Sequence, residues 1–228
     1  EGADFEGTYN EIRERLESNP VAISIPVGVG PPHMPNAFRG VIDLVEMKLR
    51  TYDKASFGRD FVDSDIPDDL IDEAQLWRER MLEQLYDYSD KLMEIGLAGE
   101  EPPVDLVRAT IRQATLHRMI VPVLCGSALD YVGVQKVLDA AQYYLPSPAD
   151  VPPVDGINPW KHDEKVIRKP DDDEPFCGLV FKVVPDKHGD LSYVRIYSGT
   201  LKGNTRLYNA ANKQKENAAQ IWHIQADS

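Results

Sequence analysis

Apolar and polar positions follow two periods along the chain, and each period predicts a different element. Apolar residues three and four apart are typical of a helix that buries one face, whereas alternation is typical of a strand. The helical spacing occurs from about 4 to 17, from 67 to 92, after 103 and from 133 to 145. The sequence therefore predicts four amphipathic helices.

Shorter apolar runs predict strands between and after these helices. Residues 21 to 25 form one such run, which Pro26 is expected to end, and residues 38 to 52 suit a hairpin with a tight connection near Val45. The run from 120 to 129 is typical of a strand buried on both faces, as in a parallel sheet. From residue 174 the period is two, which predicts an antiparallel barrel or sandwich with strands over 176–184, 191–197, 205–208 and 219–224.

A turn of small residues joins the apolar run at 120 to the helix at 133. The turn is Gly126-Ser127-Ala128. Ser127 and Ala128 carry little bulk, so backbone N–H groups could approach a ligand closely. Turns that follow a strand in an α/β sheet are common ligand sites. From these residues alone, a plain strand-to-helix turn without a ligand is the alternative.

Composition narrows the possible classes of protein. With 228 residues, the chain has room for one large domain or two small ones. No apolar run approaches the ~18 residues that a membrane span needs. The net charge of −13 argues against a general nucleic-acid-binding surface but leaves room for a local RNA contact. We expect Cys125 and Cys177, both in apolar runs, to be buried free thiols rather than a disulfide.

Charged side chains are unevenly distributed. Residues 60 to 73 include seven acids and no base, namely Asp60, Asp63, Asp65, Asp68, Asp69, Asp72 and Glu73. Much of this run is expected to open the helix at 67, where carboxylates favour the positive end of the helix dipole. A solvated acidic face and an acidic docking surface both fit it, and Arg108 and Arg112 offer a basic alternative. A calcium site is disfavoured, because no glycine or distal glutamate completes the loop.

Other chemistry finds little support in the sequence. The five histidines (His33, His117, His162, His188 and His223) show no metal-binding spacing with either cysteine. Ser127 lacks the preceding Gly-x of a nucleophile elbow. No G-x-x-x-x-G-K-[ST] phosphate loop occurs in the 228 residues. The stretch from 149 to 173 is rich in Pro, Asp and Lys without a clear period, which predicts a linker.

Several stretches, in this order and spacing, together resemble the translational GTPases, and within them the elongation factor G family. They are Glu1–Phe5, Asn19–Val21, Phe38–Leu44, Val123–Ala128, Tyr144–Pro148, Asp173–Phe176 and Arg195–Leu201. The resemblance runs nearly end to end. It implies a mixed α/β and α+β fold: the C-terminal part of a P-loop GTPase-type domain, an inserted hairpin-and-helix subdomain, and a partial antiparallel β-barrel.

The resemblance also implies domain limits. Residues 1–36 and 118–148 would form the C-terminal part of the GTP-binding domain, and residues 37–117 the inserted subdomain. Residues 149–173 would be the linker, and residues 174–228 the β-barrel of domain II, expected to be incomplete. Ser127, Ala128 and Leu129 would form the last guanine-recognition loop, where a backbone N–H donates to the guanine carbonyl oxygen.

The function implied by the resemblance belongs to a longer parent protein. That parent would bind GTP or GDP with Mg²⁺, hydrolyse GTP, and move tRNA and mRNA through the ribosome as a cytoplasmic monomer. Domain II would contact ribosomal RNA, with positive charges available at Lys182, Lys187, Arg195, Lys202 and Arg206. The inserted subdomain would contact the ribosomal stalk protein. Because the phosphate-binding and catalytic motifs are missing, we expect this chain to be a fragment that does not hydrolyse GTP.

Two alternatives remain open at this point. Within the family, a ribosome-protection or release-factor-type GTPase would share many of these motifs, although the inserted hairpin and helices favour elongation factor G. Outside catalysis, the chain could be a self-standing acidic module that interacts with the ribosome.

Overall fold

A computed structural model describes residues 3–31, 33–186 and 189–222 of the chain. It divides into two compact units, Glu1–Leu145 and Pro146–Ser228. Among the described residues, no helix combines the length and the apolar character needed to cross a membrane.

The α-helices lie in unit 1, at or near the positions that the helical spacing predicts. They are α1 (Phe5–Arg15), α2 (Asp68–Tyr86), α3 (Asp90–Leu97), α4 (Val104–Leu116) and α5 (Val134–Tyr144). Helix α1 begins after Asp4, whose side chain accepts a hydrogen bond of 3.0 Å from the backbone N–H of Gly7. This is the N-cap arrangement that an aspartate favours.

The single helix predicted over 67–92 is wrong in one respect, because it is two helices. The chain leaves the helical path after Tyr86, and Ser89 caps the start of α3 by accepting a hydrogen bond of 3.2 Å from the N–H of Leu92. Leu92 is nevertheless fully buried, as the apolar stripe predicts. Pro67 lies at the N-cap of α2, one residue before the predicted first-turn position.

The part of unit 1 that the structure describes contains two sheets. Their strands are β1 (Pro20–Ala22), β2 (Ser24–Val27), β3 (Gly40–Asp43), β4 (Lys48–Tyr52), β5 (Phe61–Ser64) and β6 (Val121–Val123). β1 pairs in parallel with β6, and the other four form an antiparallel sheet in the order β2-β3-β4-β5. The predicted hairpin over 38–52 is therefore confirmed, as β3 and β4.

The run at 21–25 serves both sheets, which its apolar pattern did not reveal. Ile23 links the two: its N–H donates to Val123 at 2.9 Å, and its carbonyl oxygen accepts from Leu44 at 3.1 Å. Pro26 does not end the strand as predicted but lies inside β2. A proline is tolerated there because β2 is an edge strand and needs no N–H on its outer side.

One further prediction for unit 1 is corrected, and one strand was not predicted. The acidic run opens helix α2 as expected, with Asp68 and Asp69 in its first turn, but residues 61–64 before it form strand β5, which pairs with β4. Strand β6 is not buried on both faces, since Val121 is about half exposed and, within the described parts of the chain, β6 pairs only with β1. The expected parallel pairing is nevertheless present.

The core of unit 1 lies where α2, α3 and α4 pack against the strands. Its fully buried side chains include Ile25, Ile42, Leu44, Met81, Leu85, Leu92, Val107 and Ile111. At the periphery of this core, the ring of Trp77 packs edge-on against the rings of Phe5 and Tyr9, with 5.4 Å between ring centroids in each pair. Helix α1 is thereby fixed to α2.

The described residues of unit 2 form three antiparallel hairpins. Its strands are β7 (Val154–Asn158), β8 (Lys161–Arg168), β9 (Cys177–Asp186), β10 (Gly189–Ser198), β11 (Thr205–Asn209) and β12 (Gln214–Ala218), paired β7–β8, β9–β10 and β11–β12. The strands predicted over 176–184, 191–197 and 205–208 are confirmed. No closed barrel forms among the described residues, and many apolar side chains of β9 and β10 are exposed.

One strand prediction for unit 2 fails, and one hairpin was not predicted. The stretch at 149–173, interpreted as a linker, contains the paired strands β7 and β8. The strand predicted over 219–224 is not present at 219–222, and residues 223 and 224 lie outside the described part, as do Lys187, His188 and His223. Strand β12 occurs earlier instead, and its polar composition gave no apolar signal.

Candidate guanine-binding turn

The turn between β6 and α5 is closed by its own backbone. Ser127 and Val132 exchange two backbone hydrogen bonds of 2.9 Å, and the N–H of Tyr131 donates to the carbonyl of Ala128 at 3.2 Å. The Ser127 hydroxyl donates to the Asp130 carboxylate at 3.0 Å and accepts from the Asp130 N–H at 3.3 Å. These bonds hold residues 127–132 as a compact loop.

Two backbone donors of this loop are not used in its internal hydrogen bonds. Among the described residues, the N–H groups of Ala128 and Leu129 find no hydrogen-bond acceptor. Leu129 is 90% exposed, and Ala128 is exposed as well. Of the three residues predicted from the sequence, Ala128 and Leu129 thus present available donors, whereas the Ser127 N–H is used inside the loop.

Glycines allow the two ends of the turn to approach closely. A Cβ added at Gly126 would lie 2.6 Å from the carbonyl oxygen of Val132, too close for any real side chain. Gly133 has a φ of +83° at the start of α5, a conformation that glycine adopts without steric cost. The glycine before Ser127 is therefore required by the closed shape of the loop.

Contacts between Ser24 and Cys125 join β2 to the segment that leads from β6 into the turn. Ser24 on β2 accepts from the backbone N–H of Cys125 at 3.1 Å, and its oxygen lies 3.6 Å from the Cys125 sulfur. Burial raises the pKa of the Cys125 thiol to about 12. The thiol therefore stays protonated at neutral pH and is no nucleophile. Cys125 and Cys177 are both free, as predicted, although each is only partly buried.

A network of charged side chains that the sequence analysis missed begins on α5, the helix that follows the turn. Lys136 on α5 forms an ion pair of 2.5 Å with Asp43 at the end of β3 and lies 3.6 Å from Glu46. Glu46 also pairs with Arg108 on α4, whose guanidinium lies 4.9 Å from the ring of Tyr143. The network joins α4, α5 and the β3–β4 turn.

The charges considered as docking surfaces have partners within the chain. Arg50 holds Asp63 through two hydrogen bonds of 2.6 Å, and this contact lowers the pKa of the Asp63 carboxyl. Asp65 pairs with Lys48 at 2.6 Å. On the basic side, Arg112 donates to the Tyr143 carbonyl at 2.8 Å. Both predicted surfaces are thus partly used to stabilise unit 1.

The sequence predicts no metal site in this 228-residue chain. Within the described ranges, no three His, Cys, Asp or Glu side chains come together in a way that could hold a metal ion.

The turn offers backbone donors and small side chains, which suit a carbonyl oxygen of a planar base. It offers no cluster of cations for phosphates.

The parallel pair, the closed small-residue turn and the antiparallel sheet agree with the mixed α/β fold that the resemblance implies. No family model matches the chain. It is 42% identical over its full length to elongation factor G of Aquifex pyrophilus, and 41% identical to elongation factor G of Salinibacter ruber. It spans 32% of the length of each relative.

A solved structure gives independent evidence of the fold. A crystal structure of a Thermus thermophilus protein matches 95% of this chain and 28% of its own, with a TM-score of 0.68 at 22% identity. At that identity the likeness concerns the fold alone. Along its whole length the chain is similar to one segment of elongation factor G, which confirms the resemblance inferred from the sequence motifs.

Proposed function

We propose that this chain is part of a ribosomal translocase of the elongation factor G type. The parent protein would hydrolyse GTP and drive the movement of tRNA and mRNA during protein synthesis. The observation that carries this proposal is the 42% identity that extends over all 228 residues. Chance similarity in one motif could not produce it.

Within that parent, residues Ser127, Ala128 and Leu129 would form one side of the guanine site. The support is geometric: the loop is closed by its own hydrogen bonds, and the exposed residues Ala128 and Leu129 have backbone N–H groups with no acceptor among the described residues. A backbone N–H donor can recognise the carbonyl oxygen that guanine carries and adenine lacks. Bound GTP or GDP with Mg²⁺ would supply the phosphate chemistry, with its phosphates held by residues outside this sequence.

The remaining parts of the parent's activity are assigned by the same argument. The hairpins of unit 2 would contact ribosomal RNA, where Lys182 and Arg195 lie 5.3 and 5.2 Å from the rings of Tyr193 and Tyr197. The antiparallel sheet and helices α2–α4 would face the ribosomal stalk protein. The parent would act in the cytoplasm as a monomer.

Strand pairing refines the proposed domain limits. The inserted subdomain was expected to begin at residue 37, but β2 pairs with β3 in the antiparallel sheet. We therefore place the first boundary at Ile23, where the chain passes from the parallel pair to that sheet. The limit between the GTP-binding domain and domain II is supported by the division of the chain at Leu145.

The guanine assignment predicts that one backbone donor controls nucleotide affinity. In the full-length protein that carries this segment, Ala128→Pro removes the backbone N–H and is expected to weaken GDP binding by about 10-fold. Titration with a fluorescent GDP and Mg²⁺ measures the change. The 228-residue chain by itself, which lacks a phosphate loop, is expected to show no saturable binding at micromolar concentration.

Ala128→Gly is the matched control, because it removes the methyl group but retains the N–H. Its GDP affinity should stay within about twofold of the unmodified protein. Equal affinity of the proline and glycine variants would contradict the assignment of Ala128 to the guanine site.

A further inference from the structure

The connection between β4 and β5, residues 53–60, lies against the candidate guanine-binding turn. The ring of Phe57 meets the ring of Tyr131 edge-on, with 5.6 Å between centroids and 89° between planes. Beside it, the side-chain amide of Gln135 donates a hydrogen bond to the carbonyl oxygen of Gly58. The connection thus makes an apolar contact with the turn and a polar contact with the first turn of α5, both more than 70 residues away in sequence.

The two backbones also touch directly. A Cβ added at Gly58 would lie 2.3 Å from the carbonyl oxygen of Tyr131, so only glycine permits this approach. Phe57 and Tyr131 both have left-handed φ values, of 55° and 59°. Residues with side chains adopt this conformation at a cost, and they keep it where surrounding contacts enforce it. The two loops therefore hold each other in their observed shapes.

The connection is itself well anchored. Its ends are joined by a 2.9 Å hydrogen bond from the N–H of Asp53 to the carbonyl of Asp60. The buried Ser56 side chain accepts from the Asp60 N–H at 2.9 Å and donates to the Asp53 carbonyl at 2.9 Å. The shape of the connection is therefore fixed by its own hydrogen bonds and does not depend on the turn alone.

We propose that Phe57 and Gly58 are positioning residues for guanine recognition. They touch Tyr131, and the N–H of Tyr131 donates to Ala128, whose own N–H is the proposed donor to the base. The inference rests on the proposed function of the turn and extends it. Guanine affinity of the GTP-binding domain depends on a loop of the inserted subdomain.

Amide exchange in the 228-residue chain tests the support itself. In Phe57→Ala, the N–H groups of Tyr131 and Val132, which are bonded inside the turn, are expected to exchange about 3- to 10-fold faster, the effect of losing one aromatic pair. Phe57→Tyr retains the ring and should restore slow exchange. Phe181→Ala is the matched control, because Phe181 is an exposed ring with an edge contact to Tyr193 in unit 2.

Base discrimination by the full-length protein tests the consequence. Phe57→Ala is expected to weaken GDP binding about 3- to 10-fold. It should leave unchanged the affinity for the analogue that carries an amino group in place of the guanine carbonyl oxygen. Gly58→Ala, whose added methyl group cannot fit beside Tyr131, should act in the same direction.

Three outcomes would overturn the inference. Unchanged amide exchange in Phe57→Ala, with normal GDP binding by the unmodified protein, contradicts the positioning role alone. Equal weakening for GDP and the amino analogue shows a general loss of structure instead of a positioned donor. A full-length protein that binds no GDP at all overturns the proposed function, and this inference with it.

Discussion

Replacing Leu85 by alanine is expected to lower the free energy of unfolding of unit 1 by about 3–5 kcal/mol. The Leu85 side chain is 0% exposed and belongs to the cluster of buried side chains in unit 1. Its truncation loses the burial of several methyl groups and leaves a cavity that packed neighbours fill only in part. Urea denaturation followed by circular dichroism at 222 nm measures it, because the α-helices of the described residues all lie in unit 1.

Leu97→Ala provides the matched comparison. Leu97 is also a helical leucine of unit 1, at the end of α3, but it is 81% exposed. Its truncation should change the stability by no more than about 0.5 kcal/mol. If both variants lost the same stability, the packing of α2 in the core of unit 1 would be contradicted.

Replacing Lys136 by methionine is expected to cost about 3 kcal/mol of unfolding free energy in unit 1. The side chains of Lys136 and Asp43 are only 13% and 12% exposed, and their atoms lie 2.5 Å apart. Methionine fills a similar volume but leaves the Asp43 carboxylate with no cation in its place. An unpaired buried charge is more costly than the net contribution of the intact pair.

A second substitution separates the lost charge pair from lost packing. Asp43→Asn keeps an oxygen to accept from the N–H groups of Val45 and Glu46 but removes the charge. Combined with Lys136→Met, it should recover more than about 1 kcal/mol. Lys48→Met, which breaks the largely exposed pair with Asp65 on the same hairpin, should cost much less stability than Lys136→Met. A similar cost for Lys48→Met and Lys136→Met would contradict the buried character of the network.

Much of unit 1 could be predicted from spacing, and its breaks could not. Apolar residues three and four apart located α1 and α4, because each helix buries one face. The same spacing continued through Ser89, so the interruption between α2 and α3 was missed, although a serine before Asp90 is a known start signal for a helix. Strand β5 was hidden because its carboxylates looked like the opening of a helix. The position of Asp63 in a strand is explained by its hydrogen bonds to Arg50 on the neighbouring strand, which the sequence pattern does not show.

The candidate site was predicted in part for the same reasons. Small residues after an apolar run indicated the turn at Ser127, which is a local signal. The contact between Phe57 and Tyr131 and the pair between Lys136 and Asp43 join distant segments, so no spacing could reveal them. In unit 2, the hairpin of β7 and β8 is mostly polar, and a polar hairpin leaves no apolar alternation to detect.

Ribosome-stimulated GTP hydrolysis tests the proposed function most directly. The full-length protein that carries this segment would be assayed for phosphate release from GTP, with and without ribosomes, beside the 228-residue chain. We expect ribosomes to accelerate hydrolysis by the full-length protein by roughly 100-fold or more, and the chain to release no phosphate under either condition. Hydrolysis that ribosomes leave unchanged, or hydrolysis by the chain alone, would contradict its assignment to a ribosomal translocase.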